Sequence, residues 1–216
     1  MAARIKRVAR DQMARDGAAS LSLGRIAREM GVSTPALYRY FASRDTLVHA
    51  LVRDAYGELA DVMTSVAAET RAETFAVRFT ALVSGYREWV LAHSQDYVLI
   101  HGAIFPGCVV PDELIRPEVA RLLGLFVELL AAARAAGTLR TPRAYAAPPE
   151  PVRAAITPMS EVLGVEPSLI LVAYMSWLPV HALVWEQLRG HSSELFDPAA
   201  FFELEMGVIA ERLGLA

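Results

Sequence analysis

The chain has 216 residues, 54% of them hydrophobic, with 21 Lys and Arg against 24 Asp and Glu for a net charge of −3. That length supports more than one buried core, and the acidic average argues against indiscriminate binding to nucleic acid. The single cysteine, Cys108, excludes an internal disulfide and a cysteine-built zinc site.

In chain order, the first apolar stripe is Ile5, Val8, Ala9, Gln12 and Met13, at i, i+3, i+4, i+7 and i+8, and it predicts a helix that stops at Asp16-Gly17. The run SLGRIAREMGVSTPALYRYF, residues 22–41, then has the layout of a helix-turn-helix. Ser22 is placed to cap a helix through its hydroxyl, and Ile26, Ala27 and Met30 give that helix one apolar face. Gly31 suits the left-handed residue just past its end, with Val32 packing back. Ser33 or Thr34 caps a short second helix that carries Pro35 in its first turn and reaches Tyr40. Leu37 and Phe41 face inward, which leaves Thr34, Ala36, Tyr38, Arg39 and Tyr40 to point elsewhere. Ser43 caps the next helix, whose apolar stripe is Leu47, Val48 and Leu51. Residues 1–50 therefore form a compact module of three or four helices. They hold nine Lys or Arg against four Asp or Glu, a local charge of +5, while the remainder is −8. A basic surface of this kind is what phosphate contact needs, with Arg4, Lys6, Arg7, Arg10, Arg25, Arg28, Arg39 and Arg44 as the supply.

Beyond Arg53 there is no sustained two-residue alternation, and helices are expected over 46–70, 73–93, 95–104, 117–136, 152–164, 168–189 and 198–213. Pro106-Gly107 and Pro111-Asp112 bracket a loop, and the Pro-rich stretch 141–151 reads as irregular. The run 168–185 is uncharged and of about the minimum membrane-spanning length, but Pro179 and His181 interrupt it and a buried or interfacial helix explains it better. The basic N-terminus has no apolar segment of the signal-peptide kind, so a cytoplasmic location and no membrane partner are expected. Catalysis has little support. Cys108 has no adjacent cation in sequence to stabilise a thiolate, the five histidines show no metal-binding spacing, and neither a nucleophile elbow nor a phosphate-cradling loop is present. No catalytic residue, metal or cofactor is expected.

The residues IAREMGVSTPALYRYFASRDTLVHAL resemble the N-terminal domain of the TetR family of bacterial transcriptional regulators. Ile26, Ala27, Gly31, Val32, Ser33, Leu37, Tyr38, Phe41, Arg44 and Leu47 match its pattern. YREWVLAHSQDYVLIHG, residues 86–102, resembles the start of the effector domain in many such regulators. Trp177, His181 and Ala182 resemble a Trp/His/Gly-type signature of one branch, with Ala182 standing where that signature has glycine. The resemblance implies an all-α chain: a helix-turn-helix DNA-binding domain over 1–50, then a larger helical-bundle effector and dimerisation domain over 51–216. Thr34, Ala36 and Arg39 would reach base edges, with Ser33 and Pro35 beginning the same helix. Tyr38, Tyr40 and Arg44 match family positions that hold the DNA backbone. Ser22, Gly24 and Arg25 lie where a phosphate meets a helix N-terminus.

Half-site spacing calls for a two-fold dimer. In the family the last two helices of each subunit form the seam, here with Ala173, Trp177, Val184, Leu188, Phe201, Leu204, Val208 and Leu213 as candidates. Trp89, Tyr97, His101, Phe105, Phe126, Met159, Tyr174, Trp177 and His181 combine bulk with a few polar tips and are the candidate contacts of a small apolar effector. The expectation is a homodimeric repressor that binds a double-stranded DNA operator and is released by that effector, the long helix from Thr46 serving as the lever. The alternative is a helical carrier or enzyme for a small apolar molecule, without DNA function.

Overall fold

A computed structural model describes residues 1–101, 108–190 and 197–216, and among these the regular structure is helical throughout. The helices are α1 (Ala2–Asp16), α2 (Leu23–Met30), α3 (Thr34–Tyr38), α4 (Arg44–Glu69), α5 (Phe75–Ala92), α6 (Ser94–His101), α7 (Asp112–Ala135), α8 (Arg143–Ala146), α9 (Glu150–Leu163), α10 (Pro167–Arg189) and α11 (Pro198–Leu213), with a 3-10 turn at Ala18–Ser20.

The boundaries follow local chemistry. Gly31 takes φ +68°, and the Val32 and Gly31 N–H groups return to the Ala27 and Arg28 carbonyls, so α2 closes in a paired left-handed cap. At the start of α4, Ser43 Oγ accepts from the Thr46 N–H at 3.1 Å while Thr46 Oγ1 accepts from the Ser43 N–H at 2.9 Å. This reciprocal box uses threonine where glutamate is commoner. Ser22 behaves differently from expectation. No capping bond from its hydroxyl is found among the described residues, and instead its backbone N–H donates to Gln12 Oε1 at 3.1 Å. Gln12 is thus a buried amide that ties α1 to the entry of α2, beyond its place in the apolar stripe.

Three other boundaries depart from the pattern. α3 stops at Tyr38, because the Tyr40 and Phe41 N–H groups both donate to the Leu37 carbonyl and turn the chain. α7 starts at Asp112 and carries Pro117 inside it, a proline that costs one internal hydrogen bond early in the helix. The Pro-rich stretch is ordered into the single turn of α8, and Pro142 and Pro149 stand at the N-caps of α8 and α9.

The chain divides into two compact units, Met1–Glu58 with Ala92–Glu118, and Leu59–Leu91 with Val119–Ala216. In the first, Ile5, Ala9, Met13, Ile26, Leu37, Phe41, Leu47 and Leu51 form one core that Leu99 of α6 joins, with Cys108, Val110 and Ile115 packed at its edge. The segment 92–118 is therefore part of the helix-turn-helix unit. In the second, Phe79, Leu82, Val83 and Tyr86 of α5, Phe126, Leu129 and Leu130 of α7, and Leu169, Ile170, Val180 and Val184 of α10 are buried. α10 packs against α8, α9 and α11; by length and hydropathy alone it could also cross a bilayer. The C-terminus is pinned by an Arg140 N–H bond to the Leu213 carbonyl at 2.8 Å.

Candidate nucleic-acid interface

The first unit displays α3 as a short rod with one face buried. Leu37 is fully buried and Phe41 nearly so, which fixes the rotation of the rod and turns the rest of it outward. Tyr38 and Tyr40 are 51% and 52% exposed, large aromatic groups left in water. Ser33, Pro35 and Arg39 are exposed, and Thr34 and Ala36 are half-buried on the flank. Arg39 caps the end of α3, rather than lying within a helix extending to Tyr40. Beside the rod, Arg44 is half-buried in the first turn of α4, and Ser22 is half-buried ahead of α2. Among the described residues the Ser22 hydroxyl makes no capping bond to the first turn of α2.

The basic supply divides in two. Arg4, Arg7, Arg28 and Arg39 are exposed. Lys6 instead pairs with Asp54, and Arg10 with Asp96 at 2.9 Å and Glu58 at 3.4 Å, so these two cations hold helices of their own unit together. Arg25 is exposed and paired with Asp16, a surface contact that a phosphate can displace at little cost. The sequence reading missed this division. Lys6 and Arg10 on α1, spaced four apart, match Asp54 and Glu58 on α4 at the same spacing, and that complementarity was the available signal.

The candidate effector contacts fall in different places. Tyr97 and His101 belong to the first unit, with their rings 4.7 Å apart. Trp89, Phe126, Met159, Tyr174, Trp177 and His181 belong to the second. There Trp177 lies edge-on to Tyr86 at 4.4 Å and to Phe126 at 4.8 Å, and Phe79 meets Phe126 at 6.4 Å. His181 Nδ1 is 3.2 Å from Tyr86 Oη, and burial pushes the His181 pKa below its ordinary value. Trp89 is buried and Met159 half-buried. Tyr174 is 54% exposed on the outer face of α10 and lines no interior. Phe105 lies outside the described residues. Tyr86, absent from the sequence candidates, is the buried polar centre of the cluster.

The candidate dimer seam is divided. Ala173, Val184 and Leu213 are buried within the chain, Trp177, Leu188, Phe201 and Val208 are half-buried, and Leu204 is exposed. The apolar groups left in solvent on α10 are Tyr174, Met175 and Leu178, and on α11 Leu204, at 62% exposure.

An all-helical chain whose first fifty residues are basic and present a short outward helix after a glycine turn belongs to the class of helix-turn-helix DNA-binding proteins. Residues 5–51 match the bacterial regulatory proteins of the tetR family, and residues 79–209 match the tetracyclin repressor-like C-terminal domain. The chain is 28% identical over 218 residues to the HTH-type transcriptional regulators Rv1816 of Mycobacterium tuberculosis and Mb1846 of Mycobacterium bovis, spanning 97% of this chain and 92% of each relative. The crystal structure of SCO4313, described as a regulatory protein, superposes with a TM-score of 0.77 at 31% identity, covering 96% of this chain and 94% of that one. The chain belongs to the TetR family and is a DNA-binding transcriptional regulator.

Proposed function

We propose that the protein is a homodimeric repressor whose two α3 rods enter successive major grooves of an operator, and that a small apolar molecule taken up by the second unit releases it. The observation that carries the DNA half is α3 itself: Leu37 buried beneath, Tyr38 and Tyr40 half in water above. Thr34, Ala36 and Arg39 are assigned to base edges, Ala36 by apolar contact with a thymine methyl and Arg39 by paired bonds to guanine. Ser33, Pro35, Tyr38, Tyr40 and Arg44 hold the backbone on either side, and Ser22 and Arg25 hold the next phosphate at the start of α2. A chain with this task works beside the chromosome, in the bacterial cytoplasm.

The effector reading is supported by the aromatic cluster of Tyr86, Phe126, Trp177 and His181, which sets two polar tips among rings. A histidine that burial keeps neutral favours an uncharged ligand. To act, such a ligand has to prefer the non-binding conformation by about 1–3 kcal/mol. The dimer is supported by the open apolar faces of α10 and α11. Gel-shift titration with the duplex upstream of the protein's own gene, repeated with lipophilic compounds that raise its melting temperature, tests both halves. Specific retention that such a compound abolishes is the expected result. A protein that retains no duplex even at low salt overturns the DNA half, and compounds that bind without changing retention overturn the effector half.

A further inference from the structure

Gln12 is 1% exposed, an amide set in the middle of the apolar stripe of α1. Such a group is costly inside a core unless its polar atoms are paired. Its Oε1 accepts the Ser22 N–H at 3.1 Å, and because a main-chain N–H only donates, the oxygen end of the amide has to face it. The Ser22 carbonyl in turn accepts the Ile26 N–H at 3.0 Å. Leu21 and Leu23, on either side of Ser22, are buried in the same core as α1.

The bond that Gln12 makes is one that a helix ordinarily makes for itself. In a capping box the side chain at the third helical position reaches back to the N-cap N–H, and α4 does this with Thr46 and Ser43. In α2 that position is Arg25, whose guanidinium has donors only and cannot accept. A cation there also opposes the helix dipole, and the first turn of α2 holds no acidic residue. α2 has thus exchanged its local cap for an arginine, and α1 supplies the missing acceptor.

We propose that Gln12 is a positioning residue for DNA binding: by holding the Ser22 N–H from α1 it frees the third position of α2 for Arg25 and sets where Ser22 and Arg25 meet the duplex backbone. Gln12 itself is covered and touches no DNA. An apolar residue would complete the stripe of α1 equally well, and only the acceptor distinguishes glutamine from it. The inference rests on the reading of Ser22 and Arg25 as phosphate contacts.

The test uses the full chain with Gln12→Leu, which deletes the acceptor, Arg25→Gln, which rebuilds the box inside α2, and the two together. Urea midpoints follow the exchange of acceptors. Gln12→Leu should lower the midpoint of the wild type, and its effect should shrink at least about threefold in the Arg25→Gln background, where the new amide takes over the Ser22 N–H. Equal losses in the two backgrounds overturn the proposal. Salt-titrated binding to the duplex upstream of the protein's own gene follows the contact. Gln12→Leu, under conditions where circular dichroism shows it folded, should bind at least about tenfold more weakly, with the slope of log affinity against log salt lower by about one phosphate contact. The double variant should be no more than about twofold weaker than Arg25→Gln, since the same contact is already lost. A Gln12→Leu chain that binds as the wild type does, or that loses affinity with its salt slope unchanged, has lost only a structural amide and overturns the proposal. If Gln12→Leu does not fold, the double variant decides: it should fold, and its failure to do so also overturns the proposal. Arg25→Gln with the wild-type slope overturns the phosphate reading of α2 and the positioning role with it. A wild-type chain that retains no duplex at low salt overturns the DNA-binding reading as a whole, whatever the urea midpoints show.

Discussion

Arg39 caps the end of the rod and Arg44 opens the next helix, and their replacement should separate reading from holding. Arg44→Ala removes a cation from the first turn of α4 and should weaken binding to all duplexes alike, lowering the slope of log affinity against log salt by about one phosphate contact. Arg39→Ala should in addition flatten the preference for operator over random duplex, by about 1–3 kcal/mol if it pairs with guanine. Salt-titrated gel shifts on both duplexes check the two together. Gly31 was legible for a different reason: a glycine after an apolar stripe and before a capping serine fits one backbone conformation, and the chain adopts it at φ +68°. A Cβ there meets no atom within 4 Å, so the cost of Gly31→Ala is conformational alone, about 1–2 kcal/mol, read from the urea midpoint. Gly214→Ala should cost more, because at φ +72° its Cβ would lie 2.2 Å from the Thr138 carbonyl oxygen. Ser22 was not legible. Its backbone N–H is held by the Gln12 amide oxygen of another helix, and no local pattern reveals such a partner.

Among the helices, those with a polar face were placed well and those without were placed but not oriented. α2 and the first turns of α4 show their buried stripe in the spacing of Ile26, Ala27 and Met30 and of Leu47, Val48 and Leu51, all of them buried. α10 is apolar around most of its circumference, and no charge marks its outer side between Pro167 and Trp185. Ala173 and Tyr174 are adjacent in sequence yet about 100° apart around the axis, so choosing the seam by character alone mixed the buried Ala173 and Val184 with the half-buried Trp177 and Leu188 and passed over the exposed Tyr174, Met175 and Leu178. His181 on the same helix gives a pH dependence of definite sign. Burial lowers its folded pKa below 6.5, so the unfolded chain takes up the proton first on acidification. Its contribution to stability is complete above the unfolded value and declines as pH falls from there to the folded pKa. His181→Gln should therefore flatten the loss of stability as pH falls through the ordinary histidine value of 6.5 and below it, measured as urea midpoints against wild type. An equally steep loss in the variant would assign the acid sensitivity to other groups.

At the scale of the molecule, an overall charge of −3 conceals a first fifty residues at +5, and it is that local excess, with α3, that a polyanion meets. The legible part was the module; the illegible part was the return of residues 92–118 into its unit, because contacts so distant in sequence leave no periodicity. The same limit governs assembly. One α3 spans too few base pairs to select a site in a genome, and two of them bound together read half-sites a helical turn, about 34–36 Å, apart or a multiple of it. The side chains of Tyr174, Met175, Leu178 and Leu204 are open to solvent, and they are the surface we propose for that union. Covering what each still exposes contributes about 0.5–2 kcal/mol, a fraction of the gain from full burial, and the two-fold axis counts each twice. Glutamate at Leu178 and Leu204 replaces this gain with like charges taken out of water on both sides of the seam. The double variant should sediment as a monomer at micromolar concentration with its helical content unchanged, since both positions are exposed in the single chain. Operator affinity should then fall by two orders of magnitude or more, about 2.7 kcal/mol, while the weak, salt-sensitive binding to random duplex, which needs only the charge of one head, persists. A variant that stays dimeric moves the seam to another face, and one that is monomeric yet binds the operator undiminished shows that a single α3 suffices.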